Sequence, residues 1–132
     1  MRRQHDKFPV KAISNSMDSD TLKKFLSFKR DQIQEEVNEL SDALSANDAE
    51  EIVDALLDNL VFTVETLRCV LDDEDIIATY ESVMNANYAK EPGIKPGRPN
   101  PFGFPDMIKP DGWKAPTLTS YTQQLQQRLG GQ

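Results

Sequence analysis

The chain has 132 residues, 38% of them hydrophobic, with a net charge of −7 and a pI near 4.7. That length bounds one domain, or a small domain with a long tail, and the modest apolar share implies a thin core that burial between identical subunits would complete. The acidic balance argues against general duplex binding, which needs a positive field, and no apolar run approaches the roughly 20 residues of a membrane span.

Residues 1–19 are mixed, with Pro9 and the polar run Ser14-Asn15-Ser16. They read as a loosely ordered arm or a short first helix. The opening Met1-Arg2-Arg3-Gln4 lacks the apolar stretch of a signal peptide, so a cytoplasmic location is expected. The lone Cys69 agrees with a reducing compartment, and the lone His5 removes zinc sites built on two histidines and argues against a His-based triad.

Asp18, Ser19 or Asp20 can cap a helix starting near Thr21. Leu22, Leu26, Ile33, Val37, Leu40 and Leu44 then fall within a sector of about 60° at 100° per residue, the mark of an amphipathic helix. Ser45-Ala46-Asn47-Asp48 breaks the pattern, and Asn47 or Asp48 can cap a second helix over 49–71. That helix is apolar around most of its circumference, so it is expected to be central and packed on more than one side. A narrow polar stripe of Glu51, Asp54, Asp58 and Glu65 runs through it. Leu71-Asp72-Asp73 ends it and caps a third helix over 74–89.

From Glu91 to Pro116 the composition changes: seven of the eight prolines and four of the six glycines lie there, so no regular element is expected. Phe102, Phe104, Met107, Ile108 and Trp113 give the stretch more apolar mass than a free linker carries. It reads as an ordered strap laid over the helical body or a partner subunit. A last short helix over 118–129 ends at Gly130-Gly131. The expected class is all-α, a helical bundle over 1–90 followed by a Pro/Gly-rich strap and short C-terminal helix over 91–132.

Chemistry concentrates in Glu36-x-x-Glu39 and Glu51-x-x-Asp54. Three residues is nearly one helical turn, so each pair shares a face and its oxygens can converge. Facing one another, the pairs would gather about four negative charges, and oxygen-only ligands suit Mg²⁺ or Mn²⁺ rather than zinc. Plainer readings stand beside this one. Glu36 and Glu39 suit a solvated face, Glu51 suits a capping box with Asp48, and Lys29 and Arg30 can simply pair with neighbouring acids. Asp54, mid-helix among apolar neighbours, is harder to dismiss. Asn87 and Lys90 can cap the third helix, and Trp113 can be a packing residue or a stacking platform. A di-iron carboxylate bundle would need Glu-x-x-His on two helices, and no His lies beyond position 5.

Arg30-x-x-Ile33-x-Glu35-Glu36-x-x-Glu39-Leu40, followed by Glu51-x-x-Asp54-Ala55-x-x-Asp58, resembles the MazG-like group of all-α nucleoside triphosphate pyrophosphohydrolases. The relatives of that group include phosphoribosyl-ATP pyrophosphohydrolases and dimeric dUTPases. Asn87-x-x-Lys90 and Asp111-Gly112-Trp113-Lys114-x-Pro116 look like elements of the small phage and bacterial members, and the likeness covers about residues 22–116. One departure is Glu65-Thr66, where phage relatives often show Gly-Thr.

The resemblance implies a helical bundle holding two or three Mg²⁺ or Mn²⁺ ions on Glu36, Glu39, Glu51 and Asp54. Glu35 would bind metal or orient water, making Glu35 and Glu36 the catalytic pair. Arg30, Asp58, Asn87, Lys90 and Trp113 would contact the substrate. Members split a (d)NTP into (d)NMP and pyrophosphate as homodimers or homotetramers, with no nucleic-acid or membrane partner. A small phage branch associated with dGTP gives a lean toward that base, and a phage-encoded chain would act in the host cytoplasm. The alternatives are a dUTPase-like or phosphoribosyl-ATP pyrophosphohydrolase-like relative, or a non-catalytic helical interaction module.

Overall fold

The computed structural model describes residues 10–130. In chain order the elements are α1 (Val10–Asn15), α2 (Ser19–Ala46), α3 (Ala49–Val70), α4 (Asp73–Tyr88), β1 (Glu91–Gly93), β2 (Asp106–Ile108) and α5 (Thr119–Arg128). The fold is therefore all-α apart from one two-stranded hairpin, and no described helix is long and apolar enough to cross a membrane. Contacts divide the described chain into two compact units, 10–73 with 122–130 and Glu74–Tyr121.

The first unit is organised by the α2–α3 helical hairpin. Asp18 caps α2 by accepting from the Thr21 amide at 2.8 Å, and this bond holds the Asp18 carboxyl below its usual range. At the other end Asn47 takes the left-handed conformation (φ 54°), which asparagine tolerates better than most residues, and the chain reverses there. Asp48 then caps α3, accepting from the Glu50 and Glu51 amides at 3.1 and 3.2 Å. The reversal makes residues equidistant from Asn47 face one another. Lys29 and Glu65, eighteen positions away on either side, form an ion pair at 3.7 Å.

This seam departs from the expected packing. The buried residues along it are Leu22, Lys29, Glu36 and Ala43 from α2, and Ala55 and Cys69 from α3. The apolar stripe of α2 lies only partly on the seam: Leu22 is buried and Leu26, Ile33 and Leu40 are half-buried, but Val37 and Leu44 are exposed. Likewise α3 packs on α2 along the polar stripe and not on several sides: Val53, Leu56, Leu57 and Leu60 are exposed. The cause lies in the pairing: α1 reaches α3 only near Cys69, and along the rest of its length α2 covers one side, the side carrying Asp58 and Glu65.

At the open end of the hairpin, Ser14 of α1 is fully buried and its hydroxyl donates to the Cys69 carbonyl at 2.8 Å, while Lys11 pairs with Asp72. Arg128 near the end of α5 donates to the Ser14 carbonyl at 2.5 Å. Arg68, itself buried, grips Asp73 through two 3.0 Å bonds and so fixes the α3–α4 corner.

In the second unit the strap is more regular than its composition suggests. Glu91, Pro92 and Gly93 pair antiparallel with Ile108, Met107 and Asp106. Two-stranded edges tolerate a proline, because only one side of the strand is bonded. Asp106 organises the intervening loop: Arg98 donates to it at 2.7 Å and Lys95 lies 3.6 Å away, while the Met107 amide chiefly lowers its pKa.

Candidate metal centre on the helical hairpin

Glu36 and Asp58 each lie eleven positions from Asn47, so the hairpin brings them face to face across the seam. Glu36 is only 8% exposed, and its Oε2 is buried without a hydrogen-bond partner. Burial, followed by the negative charges of Glu39, Asp58, Asp54 and Glu35, pushes the Glu36 carboxyl above the ordinary carboxylate range. Acids from both helices therefore converge electrostatically on one buried oxygen, with no described cation bonded to it.

Glu39 and Glu51 lie at the closed end of the hairpin. With Asp42, Ala43, Ala46 and Asp48 they line an open cleft of about 290 Å³. Ala43 and Ala55 are buried on the same seam. Glu35, Glu39, Glu51 and Asp54 are exposed and Asp58 is half-buried. Among the described residues, no group of three or more acidic, histidine or cysteine side chains is arranged as a ready-made metal cage.

By donor type alone, and not by any grouping among the described residues, these acids are of the kind a hard divalent cation takes. Every candidate ligand is a carboxylate oxygen, and the buried Oε2 of Glu36 has no hydrogen-bond partner. Structural zinc sites are built on cysteine and histidine, and Cys69 is fully buried elsewhere on the seam with its thiol bonded to the Glu65 carbonyl.

Other sequence candidates have partners of their own. Arg30 is exposed and bonds the adjacent Asp31 at 2.7 and 2.9 Å, which is the plainer of its two readings. In the second unit, Asn87, Lys90 and Trp113 form their own cluster. Lys90 donates to the Asn87 side chain at 2.8 Å and lies 5.3 Å from the Trp113 ring centre, and the indole N–H donates to the Ala86 carbonyl at 2.7 Å. Lys109 lies 4.7 Å from the same ring.

One seam residue, Gln32, escaped the sequence reading, and the burial of another, Lys29, was not foreseen by it. Gln32, one turn before Glu36, also carries a buried side-chain oxygen with no partner. Lys29 is only 7% exposed, set within about 6 Å of the Phe25 and Phe62 rings. Equal spacing from the turn pairs Lys29 with Glu65 and was the available signal. No family model matches the chain, and no curated protein or solved structure matches it.

Proposed function

We propose that the chain is a metal-dependent nucleoside triphosphate pyrophosphohydrolase of the MazG-like kind, converting a (d)NTP and water to (d)NMP and pyrophosphate. The observation that carries the reading is Glu36: a buried carboxylate with an unpaired oxygen, facing acids of a second helix. A buried anion among like charges is costly unless a cation joins it, so the arrangement makes sense as half of an ion site.

In this reading Glu36, Glu39, Glu51 and Asp54 hold Mg²⁺ or Mn²⁺. The bound ions supply charge stabilisation at the triphosphate and a water of lowered pKa. Glu36 is fixed by burial, whereas Glu39, Glu51 and Asp54 are exposed and rotate to close the site. Glu35, exposed beside Glu36, takes the proton of the attacking water as general base. Arg30, Asp58, Asn87, Lys90 and Trp113 are carried as substrate contacts by the resemblance alone, as is the lean toward dGTP. The dUTPase-like and phosphoribosyl-ATP-type activities remain the rival substrates.

A second reading, a helical interaction module whose acids only solvate it, draws on the open arrangement of Glu39, Glu51 and Asp54. The deciding experiment is pyrophosphate release from a panel of (d)NTPs with Mn²⁺. Turnover is expected with the wild type and is abolished by Glu36→Gln and by Asp54→Asn, with helicity intact. No turnover on any nucleotide, or turnover retained in both variants, rejects the assignment.

A further inference from the structure

Among the described residues, Gln32 Oε1 and Glu36 Oε2 are the buried side-chain oxygens left without a hydrogen-bond partner. Both belong to α2, about one helical turn apart, so they fall on one face of that helix. That face is the seam. The buried residues of α2 recur every seven positions, at Leu22, Lys29, Glu36 and Ala43. Gln32 and Glu39 take the second position of that repeat, three residues beyond Lys29 and Glu36. They therefore flank Glu36 on either side along α2, and Glu39 is already a candidate ligand.

No donor of the chain bonds the Gln32 oxygen. Lys29, one turn earlier, is paired with Glu65 at 3.7 Å and lies within about 6 Å of the Phe25 and Phe62 rings. Two acceptor oxygens cannot bond each other, whereas a cation coordinated by both satisfies the two at once. An amide carbonyl is an oxygen ligand of the kind that suits Mg²⁺ and Mn²⁺. It also adds a ligand without adding charge. That matters beside Glu36, where Glu35, Glu39, Asp54 and Asp58 already contribute negative potential and another carboxylate would add to the repulsion in the empty site.

We infer that Gln32 is a further ligand of the cation assigned to Glu36, giving its Oε1 to the ion as a neutral donor beside the carboxylate. The inference rests on the metal-dependent reading above and adds to it a ligand outside both acidic pairs. Its rival is an amide turned over, with Nε2 donating to the Glu36 carboxylate and no ion involved. The two arrangements answer the same substitution in opposite ways.

The test is Mn²⁺ binding to the full chain, read from the electron paramagnetic resonance signal of the free ion, together with the metal-free Tm. Gln32→Met keeps the length of the side chain and removes its carbonyl. It is expected to weaken Mn²⁺ binding by about tenfold or more, the scale on which even outer partners of a metal ligand act. Its metal-free Tm is expected to hold or rise, because an unbonded buried acceptor has gone. Gln32→Glu, which keeps an oxygen in place, is expected to bind Mn²⁺ at least as tightly as the wild type and to melt lower without metal. If the wild type binds Mn²⁺ and Glu36→Gln does not, an unchanged affinity in Gln32→Met overturns this inference alone. A lowered metal-free Tm in Gln32→Met identifies the turned-over amide and overturns it as well. Weakened binding in Gln32→Glu does the same, so the inference stays exposed even if Gln32→Met does not fold. A wild type that binds no Mn²⁺ overturns both the inference and the metal-dependent reading beneath it.

Discussion

Replacing Glu36 with glutamine should move stability in opposite directions depending on whether a cation is present. Without metal, the buried carboxylate has an unpaired Oε2 and four acidic neighbours, so the neutral isostere removes a penalty. Relief of one unsatisfied buried acceptor is of order 1 kcal/mol at the low end, since the amide keeps an oxygen in place. For a chain of this size that corresponds to about 4 °C in Tm. With Mn²⁺ at about a hundred times its Kd, the wild type gains about 2.7 kcal/mol by linkage, or roughly 10 °C, and Glu36→Gln gains little. The pH dependence follows from the direction of the shift. Folding raises the Glu36 pKa, so the folded chain holds this proton more tightly than the unfolded chain. The group's contribution is intact below the ordinary carboxylate range and is lost as pH rises through the raised value. Metal-free stability should therefore decline over that window, while the Mn²⁺ increment grows, because the ion needs the deprotonated acid. Glu36→Gln flattens both trends. Differential scanning fluorimetry from pH 4 to 8, with and without Mn²⁺, reads all four curves. A wild-type Tm indifferent to Mn²⁺, or a metal-free Glu36→Gln less stable than wild type, would refute the reasoning.

Three further outcomes test the scaffold. Lys29→Met strands Glu65, whose side chain is 23% exposed, and should cost about 2 kcal/mol, less than a fully buried pair would. Adding Glu65→Gln should recover part of that loss, read as a urea midpoint at unchanged m value. Asp48→Ala removes the acceptor for two amides at the start of α3 and should cost about 1 kcal/mol in thermal unfolding. Trp113→Phe orphans the Ala86 carbonyl and should cost about 1 kcal/mol in a circular-dichroism melt, where retention of full stability would demote that bond.

The helices were legible because their ends carry local chemistry. Asp18 and Asp48 act within three residues of themselves, so α2 and α3 begin where a capping residue precedes a periodic run. The polar stripe on α3 was legible for the same reason, as angular arithmetic needs no partner. What faced that stripe was not. Apolar side chains on α2 marked one face for burial, yet its hairpin contact runs through Lys29, Gln32 and Glu36. Pairing two helices is a long-range choice, and it followed the turn at Asn47 rather than the strongest apolar stripes. The β1–β2 pairing was hidden by Pro92 and Gly93, which read as breakers but occupy a two-stranded edge. A larger residue at Gly93 would have to displace the Ile108 side chain, since a Cβ would sit 2.1 Å from it. Asp42 of the cleft was not singled out in sequence, and neither was the burial that sets Glu36 apart from the other acids.

Cys69 turns the hairpin into something that can be timed. Its thiol is wholly enclosed, bonded to a carbonyl one turn back, and pushed by burial toward the unreactive protonated form. An alkylating reagent reaches it only when α3 parts from its neighbours, so the labelling rate of the native chain is a clock for that opening. As the chain's sole cysteine, it reports this one event without engineering.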